Sequence, residues 1–143
     1  MAIVSVCACP MVDWRRFASI SSIQPNRDHA GKRSDEQAAY FGLTRAGAVK
    51  LGQQAKAFTA AALQKPFTIQ TRWRPVYGSP RYYAFVFTAE GNDLAELLVK
   101  NGLARIYGTR TPLPDGRGSR TYLATLKSLE QQAKSAGLGG WRH

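Results

Sequence analysis

Hydrophobic positions fall into order only downstream of residue 34. Residues 1–33 show no clear period, and RRFASISSIQPNRDHAGKR mixes Ser, Arg, Pro and Gly without a strand or helix pattern. From Ser34 onward each segment carries start and stop signals. A short helix is expected from Ser34 or Asp35 through EQAAYF to Gly42, a natural residue just past a helix end. Thr44 can cap a longer helix whose apolar positions Leu51, Ala55, Phe58 and Ala62 share one face. Pro66 stops it. Gly47 and Gly52 weaken that helix by about 1 kcal/mol each relative to alanine, and Gly52 suits close packing.

The next pattern has period two. In PFTIQTRW, Phe67, Ile69, Thr71 and Trp73 alternate with Thr68, Gln70, Arg72 and Arg74, giving one mostly apolar and one polar-to-basic face. RPVYGSP is turn chemistry. YYAFVFT is apolar on both faces, as an enclosed strand would be. Glu90-Gly91-Asn92 turns the chain. Asp93 is a good N-cap, and Glu96 three residues on completes a capping-box pattern. Leu94, Leu97 and Leu98 form the buried face of a helix that Gly102 ends, after which Leu103–Tyr107 is expected to resume as a strand. Residues 108–120 read as a basic loop with Arg110, Arg117 and Arg120. A last helix places Tyr122, Leu126, Leu129 and Ala133 on one face and ends at Gly137, with Trp141 folding back onto it. There is no internal repeat and no linker dividing two domains.

Composition adds a charge. The 143 residues are enough for one domain, and 20 Lys+Arg against 9 Asp+Glu give a net charge of +11. That balance suits a polyanion, nucleic acid or an anionic membrane surface. Aromatics close to the arginines favour nucleic acid, as at single-strand sites. Cys7 and Cys9 are too few for a disulfide framework and lack the second ligand pair of a zinc site. His29 and His143 are isolated and read as surface residues. The start, MAIVSVCACPMV, lacks a basic leader region and is too short to span a membrane, and VCAC resembles a lipoprotein cleavage site only faintly. The location is then cytoplasmic by default, with no membrane and no protein partner implied.

Three blocks carry a family resemblance. LGQQAKAFTAAAL, RYYAFVFTAEGNDLAELLVKNGLARIY and LEQQAKSAGLGGW, in this order over residues 34–143, resemble segments of the thermonuclease (staphylococcal-nuclease-like) domain family. The resemblance implies an α+β fold, a five-stranded OB-type β-barrel with packed helices, which is a nucleic-acid platform. It also implies calcium-dependent phosphodiester hydrolysis of DNA or RNA. Carboxylates would hold the calcium, a glutamate would assist as base, and arginines would stabilise the developing charge. By position Arg81 carries over as a catalytic arginine binding phosphate through its bidentate fork; the plain alternative is a strand-edge arginine. Arg72, Arg74, Tyr107 and Arg110 are the expected nucleic-acid-binding residues, Tyr107 and Arg110 with an uncertainty of a residue or more.

The family's upstream chemistry needs Arg-x4-Asp-x2-Glu on a strand. The N-terminal acids Asp13, Asp28, Asp35 and Glu36 do not form it, and Asp35-Glu36 fit a helix start, where acids favour the dipole. With a permitted choice of codons, residues 16–26 read two bases later give Phe-Arg-Leu-Tyr-Phe-Val-Asp-Thr-Ala-Glu, the expected strand. Residues 1–33 are therefore expected to be irregular, out-of-frame sequence, with 34–143 a thermonuclease-like domain whose barrel and metal site are incomplete at the N-terminus. Three functions compete: a family hydrolase, a non-catalytic nucleic-acid-binding module, and a degenerate remnant. The expectation is that the chain does not cleave, since Arg81 alone cannot hydrolyse a phosphodiester.

Overall fold

Two helices open the described part of the chain. The computed structural model describes residues 30–72, 83–107 and 113–142, with only the backbone described at 30–34, 71–72 and 83–84. Helix α1 spans Ala30–Phe41 and α2 spans Arg45–Ala62. α1 begins before the expected Ser34, so Asp35 and Glu36 lie in mid-helix rather than in a first turn. It ends where expected: Gly42 takes φ 68°, and the amides of Gly42 and Leu43 return to the carbonyls of Ala39 and Ala38 at 3.3 and 2.8 Å. Thr44 then caps α2, its hydroxyl accepting from the Gly47 amide at 3.1 Å. Ala48, Leu51, Gly52, Ala55 and Thr59 form the buried stripe of α2, and Ala38 and Phe41 are the buried side chains of α1.

Strands β1 (Thr68–Arg72) and β2 (Tyr83–Phe87) pair antiparallel, with Thr68 opposite Phe87 and Arg72 opposite Tyr83. β2 is enclosed on both faces, as its sequence implies. Val86 packs with Ala55, Leu63, Leu94 and Leu98, while Phe85 packs with Val99, Leu113, Tyr122 and Leu126. Adjacent strand residues point oppositely, so one strand feeds two core clusters. Helix α3 (Leu94–Lys100) supplies both, and α4 (Ser119–Ser135) closes the second. Leu98 and Leu126 are wholly buried, each the kind of side chain whose truncation to alanine costs about 2–5 kcal/mol.

The chain closes on itself at a glycine junction. Gly102 ends α3 with φ 66°, and its carbonyl accepts from Gly140 at 2.9 Å. Gly139–Trp141 forms a 3₁₀ turn. Trp141 lies 4.7 Å from the Phe41 ring and 5.7 Å from Tyr40, with the Lys134 ammonium 4.3 Å from its own ring centre. The expected return of Trp141 onto the last helix is thus made, and it reaches α1 as well.

The expected OB-type barrel is not found. Among the described residues the sheet has two strands and is open, and helices make up most of the rest. Leu103–Tyr107 is irregular rather than a strand. Its backbone is spoken for elsewhere: Leu103 donates back to Leu98 at 2.9 Å, and the Ile106 amide makes a long 3.5 Å bond to the Tyr40 hydroxyl. Donors used this way cannot extend a ladder. The capping box is also only half made. Asp93 caps α3, but Glu96 pairs with Arg117 at 3.0 Å.

The glycine junction gives a direct test. A Cβ at Gly102 would overlap the Leu138 carbonyl, whereas Gly91 (φ 79°) has open space around it. Gly102→Ala should lose at least about 2 kcal/mol in urea denaturation, from left-handed strain plus overlap. Gly91→Ala should lose about 1–2 kcal/mol from strain alone.

Candidate nucleic-acid interface

Five residues carry the expected interface, and the structure reaches two of them. Arg81, Arg74 and Arg110 lie outside the described residues. Arg72 closes β1, its Cα opposite that of Tyr83. Tyr107 is described in full, and at 68% exposure it is one of two large hydrophobic residues left open to solvent among those described.

Tyr107 is exposed but backed. The Arg105 guanidinium sits 4.4 Å from its ring centroid, and Arg105 is itself mostly covered, reaching Glu36 at 3.5 Å. A cation packed on one ring face leaves the other available for stacking. Arg105 was not among the expected site residues. No sequence signal marks it, because the segment is irregular and the pairing with Tyr107 follows from its particular path. The segment is held from below by Tyr40, whose hydroxyl donates to Glu130. Burial first, and then that carboxylate, push the Tyr40 hydroxyl up to about 12, so it stays a donor at neutral pH. Glu130 also accepts from Lys134 at 3.1 Å.

The carboxylates decide what chemistry is within reach. Asp35 takes both arms of Arg45 at 2.8 Å. Glu36 faces Arg105, and Glu90 accepts from Lys65 at 2.9 Å. Glu96 and Asp115 share Arg117 at 3.0 and 2.5 Å. Glu130 is held by Tyr40 and Lys134. Asp93 is buried; it accepts from the Ala95 amide at 2.8 Å and from the Tyr122 hydroxyl at 2.7 Å. Every carboxylate among the described residues therefore has an internal partner. The Arg45 bond holds the Asp35 carboxyl below its ordinary value, the Lys65 bond does so for Glu90, and the Arg117 amide does so for Asp115.

A calcium ion needs about six to eight oxygens converging on one point. Among the described residues no three His, Cys, Asp or Glu side chains come together; the nearest approach to a cluster is Glu96 and Asp115, which meet on Arg117. These residues do not fit the metal that the family resemblance implies. Lys50, Lys56, Lys100, Arg120, Lys127 and Arg142 pair with no carboxylate among the described residues, and all six are exposed, so their charges face solvent. No described helix is long and apolar enough to cross a membrane.

The buried Asp93 generates a pH test. Burial pushes its carboxyl above the ordinary 3.8, against the lowering effect of the Tyr122 and Ala95 bonds. A raised folded value means the native state holds a proton that the unfolded chain releases. Asp93 thus favours folding most below 3.8 and loses that share as pH rises through the folded value. Chemical denaturation at stepped pH should show this downward component in the native chain and not in Asp93→Asn. Tyr122→Phe should lose about 1–3 kcal/mol, since it leaves a buried carboxylate oxygen without its donor.

The family model described as "Staphylococcal nuclease homologue" matches residues 20–143. No curated protein sequence matches the chain. The match takes in almost the entire chain, including residues 20–33, and so overturns the expectation that the N-terminal half is missing or out of frame. The absence of a hydrophobic period there was not evidence of foreign sequence.

Proposed function

The chain belongs to the staphylococcal nuclease homologue family, a family of nucleases, and from that premise we propose that it binds single-stranded nucleic acid and does not itself cleave it. Its arginines take the phosphates and Tyr107 takes a base. The observation that carries the reading is the engagement of each described carboxylate by a cation, a tyrosine or a helix end. A carboxylate tied to arginine is a poor base and a poor calcium ligand, because either role would break a charge-assisted bond.

Tyr107, backed by Arg105, supports the binding half of the proposal. Base–aromatic stacking tolerates any sequence and gains from an adjacent arginine. Arg72, Arg74, Arg81 and Arg110 are assigned to phosphate from the family resemblance, and Arg81 keeps the transition-state role that the resemblance gives it only if cleavage occurs. The family's hydrolysis is the second reading. It is favoured by the match extending over residues 20–33, which contain Asp28.

A labelled single-stranded oligonucleotide separates the two. With calcium present the chain should leave it intact. Calcium-stimulated cleavage that is abolished by Arg81→Ala would instead establish the hydrolase. In a binding assay on the same oligonucleotide, Tyr107→Ala should weaken affinity by about 1–3 kcal/mol, the usual worth of one stacked base. An unchanged affinity would remove Tyr107 from the interface.

A further inference from the structure

A groove of about 450 Å³ lies between the N-terminal half of α2, the end of α3 and the C-terminal 3₁₀ turn. Its size falls in the range of small-molecule sites, about 300–1,000 Å³. None of its lining residues belongs to the Tyr107–Arg105 surface, so the inference below goes beyond the function proposed above and does not rest on it.

The lining has a definite chemical composition. Leu43, Leu103 and Leu138, each half-buried, give it apolar surface, while Lys50, Arg142, Gln54 and Asn101 supply polar groups, with no carboxylate among the lining residues. Lys50 and Gln54 are one helical turn apart and share a face of α2. Arg142 follows Trp141, whose ring is fixed against Phe41. The Asn101 amide donates to the Leu97 carbonyl at 2.8 Å, which holds it in place and leaves its oxygen free to accept. The backbone at Gly139 and Gly140 is packed too closely for any side chain. A Cβ at Gly139 would stand 2.5 Å from the Gly102 carbonyl oxygen, and one at Gly140 would stand 2.6 Å from the Phe41 ring.

A bare anion has no use for leucine, and a purely apolar ligand has no use for two cations. A flat heterocycle carrying a phosphate uses both. We propose that this groove binds a nucleoside monophosphate, free or as the phosphorylated end of a strand, with Lys50 and Arg142 on the phosphate and the base against the leucines. Gln54 and Asn101 then meet the polar edge of the base, where an amide offers both donor and acceptor.

Calorimetry on the full chain tests this with adenosine 5′-monophosphate, adenosine and inorganic phosphate as probes. The nucleotide should bind roughly tenfold or more tightly than either fragment. The Lys50→Ala/Arg142→Ala double variant should lose roughly tenfold or more of that affinity, while Lys65→Ala, a charge change outside the lining at a lysine paired with Glu90, should lose none. Both groove side chains are exposed, and an unchanged circular dichroism spectrum checks that the double variant folds. A parallel arm compares an oligonucleotide with and without a 5′-phosphate. A phosphate-dependent gain that disappears in the double variant identifies the strand end as the source, and the same loss with the mononucleotide alone identifies the free nucleotide. Insensitivity of both arms to the double variant overturns the proposal, as does equal affinity for nucleotide and inorganic phosphate. Loss of oligonucleotide binding in Tyr107→Ala bears on the other surface and leaves this result standing.

Discussion

One buried carboxylate ties the described fold together. Asp93 follows the turn after β2, caps α3 through the Ala95 amide and accepts the Tyr122 hydroxyl from α4. Its backbone also bridges Phe87 at the end of β2. Strand, helix and helix thus meet at a single residue, the strand through its backbone and the two helices through its side chain. Burial of a carboxyl is costly unless both oxygens are satisfied, and here each has one good donor. The Arg117 guanidinium, 5.4 Å from the Tyr122 ring, covers the site and brings in Glu96 and Asp115. Through those contacts the loop containing buried Leu113 is fastened to the first turn of α3.

The same economy of acids shapes the surface. The sequence has few carboxylates for its cations, and the fold uses those it describes to staple one element to another: α1 to α2 through Asp35–Arg45, the segment before β1 to the turn after β2 through Lys65–Glu90, and α1 to α4 through Tyr40–Glu130. The exposed pairs add little to stability, since solvent screens them. Their larger consequence is electrostatic. With the described acids paired internally, the described lysines and arginines left over set an outward field that attracts phosphates over a distance and is screened by salt.

Local signals in the sequence were reliable wherever a backbone need had a residue to answer it. Thr44, Gly42, Asp93 and Gly102 mark helix ends because each does something no ordinary residue does there as well: it accepts an orphan amide or takes a positive φ. The buried stripe of α4 and the double-faced burial of β2 were likewise legible, and so was half of the stripe of α2: Leu51 and Ala55 are buried, whereas Phe58 and Ala62 are half-buried and Ala48, Gly52 and Thr59 complete the stripe. The barrel was not. It was inferred from family resemblance, and Leu103–Tyr107 has a strand-like composition whose backbone donors are in fact taken by Leu98 and by a tyrosine sixty-six residues away. Long-range side-chain partners leave no periodic trace. The same is true of Glu96, whose capping-box spacing was overridden by Arg117, and of Arg105, recognisable only once Tyr107 is seen above it. The early start of α1 and the family match over residues 20–33 share a cause: neither has an apolar period to reveal it.

Binding without metal-assisted chemistry is the central claim, and the salt dependence of affinity measured in calcium and in chelator tests it most directly. If lysines and arginines alone hold the strand, the logarithm of the affinity for an intact single-stranded oligonucleotide falls linearly with the logarithm of salt concentration, with a slope of several phosphates. The account predicts the same line in both conditions. A markedly tighter complex in calcium at matched ionic strength, or an affinity indifferent to salt, would contradict it.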